Sequence, residues 1–145
     1  MEVEAFLTAE EEQGIIEAII EAENHTSGEI RVHLEKAVDK DPIQRAEEVF
    51  FFLGMDRTKN QNGILFYVAV DDHRFAVIGD KGIDKVVPDD FWESIRDEVI
   101  TEFKVGKFAR GLVQGILHAG EKLKEFFPVD EADQNELPDS ISKNH

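Results

Sequence analysis

The sequence predicts an α/β fold, a three-layer sandwich with a central mixed sheet of about four strands and helices on both faces. Three observations lead there. Ile64 to Val70 is an almost unbroken apolar run, as a strand covered on both faces must be, whereas a half-exposed strand alternates. The polar triplet Asp71, Asp72, His73 parts it from a second β-rich run, Arg74 to Gly79, which is the pattern of a hairpin. Upstream, an alternating run and a helical stretch complete a strand, helix, strand order whose lengths suit a right-handed parallel crossover.

The first helix is predicted from about Thr8 to Asn24. Thr8 and Glu11 form a capping box, and Ile15, Ile16, Ile19 and Ile20 recur on one face. Thr26, Ser27 and Gly28 break the pattern. Ile30, Val32 and Leu34 then alternate with Glu29, Arg31, His33 and Glu35, so this strand should bury one face only and lie nearer an edge than Ile64 to Val70. His33 is expected on its exposed side. Asp41 ahead of Pro42 starts a second helix, with Ile43, Ala46, Val49, Phe50 and Leu53 as its apolar face up to Gly54. Met55 to Gly63 reads as a polar, mobile loop. After the hairpin, Asp90 with Glu93 caps a third helix that turns Trp92, Ile95, Val99 and Phe103 to one side and ends at Gly106. Phe108 to Phe127 is a fourth helix. Gly111, Gly115 and Gly120 inside it each cost about 1 kcal/mol relative to alanine, which close approach to a neighbouring element would offset. Residues 1–128 form one domain, and Val129 to His145 is an acidic tail expected to be disordered.

Composition narrows the function. With no cysteine, thiolate catalysis and thiolate metal sites are excluded, so a metal would need oxygen or imidazole ligands. A formal net charge of −16 argues against nucleic acid and anionic lipid, both of which need clustered Lys and Arg, and favours cations or a basic protein partner. No signal-like segment opens the chain and no apolar run reaches the roughly 18 residues of a membrane span, so a cytoplasmic chain without membrane insertion is expected.

The hairpin folds Gly79 and Asp80 back beside Asn62 and Gly63. Seven strand residues put roughly 23 Å between that end and the tip holding Asp71 and Asp72, so two acidic sites are distinct. If the crossover is parallel, Glu29, Asn62, Asp80, Asp84, Asp89 and Asp90 gather at one rim, punctuated by Gly28, Gly63, Gly79 and Gly82. Glycines let backbone carbonyls turn toward a ligand, and carboxylates with carbonyls and water are what Ca²⁺ or Mg²⁺ requires. The same residues also suit ordinary turn chemistry, with Asp89 and Asp90 as N-caps and Asp80 and Asp84 in turns. The loop from Asp56 is not an EF-hand, because Gln61 stands where the sharp turn needs glycine. Ser27, Ser94, Ser140 and Ser142 lie in no nucleophile elbow, and no phosphate-cradling loop exists.

Four blocks, SGEIRVHLE, NGILFYVAVDDHRFAVIGDKGI, VVPDDFW and FKVGKFARGLVQGI, occur in the order seen in the TPM domain family, which the chain resembles from about Ser27 to Leu117. That family includes thylakoid-lumen proteins of photosystem II repair and many bacterial proteins. The resemblance implies a sheet between helical layers, with Glu29, Gly63, Gly79, Gly82 and Asp89 at matching positions. It also implies divalent cations and a phosphatase label, with the acidic rim as the site. Two departures bear on that site: Gln61 replaces an Asp that many members carry, and GDKG replaces a tighter Gly-aromatic-Gly turn. The leading expectation is a cation-binding domain. Its alternatives are a metal-assisted phosphatase, or an interaction module whose acidic first helix engages a basic partner.

Overall fold

The computed structural model describes residues 2–129 and 138–144. After a 3₁₀ turn at Val3–Ala5 come α1 (Ala9–Glu23), β1 (Glu29–Glu35), α2 (Pro42–Phe52), a 3₁₀ turn at Met55–Arg57, β2 (Gly63–Ala69) and β3 (Arg74–Gly79). They are followed by α3 (Lys81–Asp84), α4 (Phe91–Lys104), α5 (Phe108–Leu123) and β4 (Ser142–Asn144).

Local chemistry sets most boundaries. The Thr8 hydroxyl accepts the Glu11 N–H (3.1 Å) while the Glu11 carboxylate accepts the Thr8 N–H (2.8 Å), closing the capping box. Asp41 Oδ1 accepts the Ile43 N–H at 3.0 Å ahead of α2. Gly106 ends α4 with φ 77°, donating to the Phe103 carbonyl as Lys107 reaches the Glu102 carbonyl, a Schellman arrangement that satisfies two end carbonyls. At the start of α4 the expected cap differs. Asp90 makes no side-chain cap bond; its carbonyl accepts the Ser94 N–H, and the Ser94 hydroxyl donates to the Phe91 carbonyl.

The sheet order is β3-β2-β1-β4, with β1 and β2 parallel and β2 and β3 antiparallel. This is the mixed sheet of the three-layer α/β sandwich, with α1, α4 and α5 on one face and α2 on the other. Ile30, Val32, Leu34, Ile64, Phe66, Val68, Phe75 and Val77 join the first helical layer in one core. Leu65, Tyr67, Ala69 and Ala76 pack with Ala46, Val49, Phe50 and Met55 in the second. Every residue from Ile64 to Val70 is fully buried, as the uninterrupted apolar run required. The α5 glycines are close-contact positions. A β-carbon at Gly115 would fall 2.5 Å from Val99 Cγ2, and one at Gly120 would fall 2.7 Å from Ala22 Cβ. Their helix-propensity cost is offset by tight packing of α5 on α4 and α1.

Three expectations change. β1 is buried on both faces, not one, because α2 covers the side carrying His33 and Glu35, and β4 flanks it, so it is not an edge strand. β4 pairs in parallel with β1 from His33↔Ser142 to Glu35↔Asn144, so the segment expected to be a structureless tail contributes a strand; residues 130–137 lie outside the described residues. The Met55–Gly63 loop is anchored by buried Met55, Thr58 and Asn62, with the Thr58 hydroxyl accepting the Asn62 N–H. Among the described residues no helix is long and apolar enough to cross a membrane.

Candidate functional site

One end of the sheet builds the rim. Glu29 opens β1 in register with Gly63 and donates its N–H to the Asn62 carbonyl at 3.2 Å. Asp80, one residue beyond β3, donates its N–H to the Gly63 carbonyl at 3.0 Å. Glu29, Asn62 and Asp80 therefore share an edge of the fold. Asp71 and Asp72 lie at the far end of the hairpin, where Asp72 Oδ2 accepts the Val38 N–H at 3.1 Å.

Within that rim the side chains do not form a single cage. Asp80 caps α3: its Oδ1 accepts the Lys81 N–H at 2.8 Å, and its Oδ2 is buried with no hydrogen-bond partner. Asp84 follows one turn later, its N–H on the Asp80 carbonyl (3.2 Å) and its Oδ1 accepting the Trp92 indole N–H (2.9 Å). Asp80, Lys81 and Asp84 line a groove of about 500 Å³ whose apolar walls include Phe50, Phe51, Ile78 and Trp92. Glu29 is buried at the head of β1. Asn62 is buried, donating through Nδ2 to the Ser27 hydroxyl at 3.4 Å. Asp89 lines the next groove along, and Asp90 is exposed at the start of α4. Among the described residues, no three acid or imidazole side chains stand close enough together to hold a metal ion. The structure sets Asp80 and Asp84 one helical turn apart on the same groove and leaves the other four residues outside that groove.

Of these carboxylates, Asp80 has a buried oxygen left without a donor. Asp80 is only 9% exposed, and a buried carboxylate oxygen without a donor costs about 1–3 kcal/mol or more. A cation beside it removes that cost. The Asn60–Gln61 loop packs on α3: a β-carbon on Gly82 would fall 2.4 Å from the Asn60 carbonyl oxygen and 2.6 Å from that of Gln61, and the Gly82 N–H donates to the latter. Gln61 holds a left-handed backbone, φ 52°, a conformation that costs a non-glycine residue free energy and recurs at functional sites. Carboxylates, backbone carbonyls and water are the ligand types that Ca²⁺ and Mg²⁺ take.

The rim glycines act differently from expectation. None of Gly28, Gly63, Gly79 and Gly82 has a positive φ; each instead admits a close neighbour, Trp92 at Gly79 and the loop carbonyls at Gly82. Trp92, predicted to face the core with Ile95 and Val99, is only partly buried and walls the groove.

Sequence reasoning also missed a buried polar cluster beneath α2. Arg45 holds Glu35 with two hydrogen bonds, Nε to Oε2 at 2.8 Å and Nη2 to Oε1 at 2.9 Å. The Tyr67 hydroxyl donates to Glu35 Oε2. His33, expected on an exposed face, is buried between Glu35 and the Ser142 hydroxyl. Burial alone would raise the Glu35 carboxyl, yet the bonds from Arg45 and Tyr67 overcome it and hold the group down at about 2. A single tyrosine inside an otherwise apolar strand was the available signal, because a buried phenol needs a partner. The cluster ties α2 and β4 to the sheet.

A protein-family model, the TPM domain, matches residues 2–122 of the chain. The chain belongs to the TPM domain family. Among solved structures, this TPM domain is similar to the BA42 protein of the psychrophilic bacterium Bizionia argentinensis, at 54% identity over 99% of each chain and a TM-score of 0.92. The N-terminal domain of a P. gingivalis protein matches at 22% identity and TM-score 0.69, covering 85% of this chain and 80% of that one. An N-terminal domain from Corynebacterium glutamicum matches at 12% identity and TM-score 0.65, covering 96% and 82%. At those identities the latter two speak for the fold alone. No curated protein matches the chain.

Proposed function

We propose that this TPM domain binds a divalent cation, Ca²⁺ or Mg²⁺, where Asp80 and Asp84 meet the Asn60–Gln61 loop. One observation carries the reading: Asp80 Oδ2 is buried at the edge of a groove with no donor to satisfy it. Buried polar atoms in folded proteins are almost always partnered, and an ionised carboxylate is the costliest exception. Asp80 and Asp84 would bond the ion. Glu29, Asn62, Asp89 and Asp90 would add negative potential along the rim or orient the loop. A net charge of −16 raises the local concentration of cations around all of them.

The chemistry available to such an ion is polarisation of a bound oxygen and activation of water, which is how a phosphatase would use it. No observation at the rim favours hydrolysis over binding alone, so binding is the function we put forward. Calorimetric titration with CaCl₂ and with MgCl₂ tests it. Saturable binding is expected in the wild type, weakened at least about tenfold in Asp80→Asn and unchanged in Asp72→Asn, at the far end of the hairpin. Equal binding by wild type and Asp80→Asn would overturn the assignment.

A further inference from the structure

β3 is an edge strand with no strand on its outer side, where Phe75 and Val77 are 6% and 8% exposed. Because Asp80 gives its N–H to Gly63 and the strands pair as Ile64↔Gly79, the residues bonded to β2 are Arg74, Ala76 and Ile78. Phe75, Val77 and Gly79 therefore turn both backbone N–H and C=O away from the sheet, and among the described residues no hydrogen bond takes them. Edges are ordinarily blunted by proline, a bulge or an inward-pointing charge. Arg74 to Gly79 contains no proline and pairs without interruption.

The flanks of this edge form a channel. Two grooves, about 500 and 530 Å³, adjoin along it and share Ile43, Val77 and Trp92 as lining. α2 supplies one wall with Ile43 and Phe51, both more than half exposed, and α4 supplies the other with Trp92 and Ile100. Six acids line the two grooves, against three bases, Arg74, Lys81 and Arg96. An apolar channel floored by unpaired backbone groups and rimmed mainly by carboxylates matches one kind of occupant.

We infer that the β3 edge docks an extended, basic segment of a partner protein as a fifth strand of the sheet. Main-chain hydrogen bonds to Phe75, Val77 and Gly79 would give affinity, apolar side chains would face Ile43 and Phe51 of α2, and the alternate, basic ones would face Asp89 and Glu93 at the α4 wall. A second copy of this chain is the poorer occupant, since edge-to-edge pairing would bring together two molecules each of charge −16. At the start of α1, the other surface suited to a basic partner, Glu12 together with Glu4 of the preceding 3₁₀ turn holds the chain's own Lys143, at 2.5 and 2.8 Å. The inference rests on the backbone of β3 and not on the cation, although a segment seated there would share its groove with an ion at Asp80 and Asp84.

The test uses the full ¹⁵N-labelled chain in EDTA, so that cation binding plays no part. The probe is an acetylated, amidated heptapeptide alternating lysine with valine and phenylalanine. Amide shifts confined to Arg74–Asp80 and Trp92, with cross-strand NOEs from the peptide to Phe75, Val77 or Gly79, are expected. N-methylation of every second peptide nitrogen, made in both phases, should weaken binding at least about tenfold in one phase, and glutamate in place of lysine should abolish it. Four outcomes would overturn the proposal: no binding at millimolar peptide, equal binding of both N-methylated forms, shifts centred on α1, or β3-to-β3 NOEs between copies without peptide.

Discussion

The Trp92 indole lies across Gly79, so close that a β-carbon there would stand 2.4 Å from Cη2 and 2.6 Å from Cζ2 of the ring. The ring is held in this position by the hydrogen bond its Nε1–H donates to Asp84 Oδ1. Gly79 thus lets one side chain close the end of the sheet and steer a rim carboxylate at once. Gly79→Ala should displace the indole, break the Asp84 bond and cost about 1–3 kcal/mol, as overpacking does. A urea titration followed by Trp92 fluorescence, the only tryptophan in the chain, reads both effects. An unchanged midpoint and emission maximum would contradict this packing.

Glu35 should dominate the acid limb of the stability profile. Its folded-state value of about 2 lies below the ordinary 4.5, so its contribution is complete above pH 4.5 and is lost as the pH falls through 2. The shift corresponds to roughly 3 kcal/mol. Glu35→Gln, which leaves Arg45 only the exposed Glu48 carboxylate at 3.3 Å, should lower stability at pH 7 by about 2–4 kcal/mol and flatten the profile between pH 4.5 and 2. Chemical denaturation across that range in both proteins checks the prediction.

Glu23 should act in the opposite sense. Burial, and then its hydrogen bond with Asp139, push its carboxyl up to about 9, while its Oε2 accepts the Ile30 N–H at 3.1 Å. Because the folded state holds this proton more tightly, its stabilising effect is complete below pH 4.5 and drains away as the pH rises through 9. Glutamine keeps the hydrogen-bonding shape without the titration. Glu23→Gln should therefore gain about 1–3 kcal/mol over wild type at pH 8, with little difference at pH 4. Thermal unfolding at the two pH values decides it.

Gly82→Ala places a methyl against the Asn60 and Gln61 carbonyl oxygens, both main-chain atoms that cannot swing aside as a side chain would. The loop must move. We expect a loss of about 1–3 kcal/mol, and Ca²⁺ affinity lower by tenfold or more because the loop carbonyls leave the Asp80 corner. Calorimetry on the variant measures the second effect.

Most of the fold was legible because its signals are local or periodic. The Thr8 capping box, Pro42 after Asp41, the apolar Ile64–Val70 run and the Gly106 stop each act within a few residues. What escaped depended on partners distant in sequence. β1 alternates as a half-exposed strand does, yet its polar face is buried, because Arg45 from α2 and Asn144 from β4 satisfy Glu35. β4 itself is three residues of no special propensity, specified by what it meets: His33, Glu35, Glu4 and Glu12. At the site, topology correctly put Glu29, Asn62 and Asp80 on one rim, since register follows from strand order. Whether side chains on a rim converge depends on rotamers and on short elements such as α3, and neither has a periodic signature. Hence Asp84 meets Trp92 and Asp80 while Asp89 and Asp90 stand apart.

The cation site is tested most directly by its own neighbour. Trp92, bonded to Asp84 and the sole tryptophan, should sensitise the luminescence of Tb³⁺ bound as a Ca²⁺ surrogate beside Asp80. Saturable Tb³⁺ emission on excitation of the indole, displaced by Ca²⁺ and lost in Asp80→Asn with the fold retained, is the predicted result. Sensitised emission that survives Asp80→Asn undiminished, or that never appears in the wild type, would contradict it.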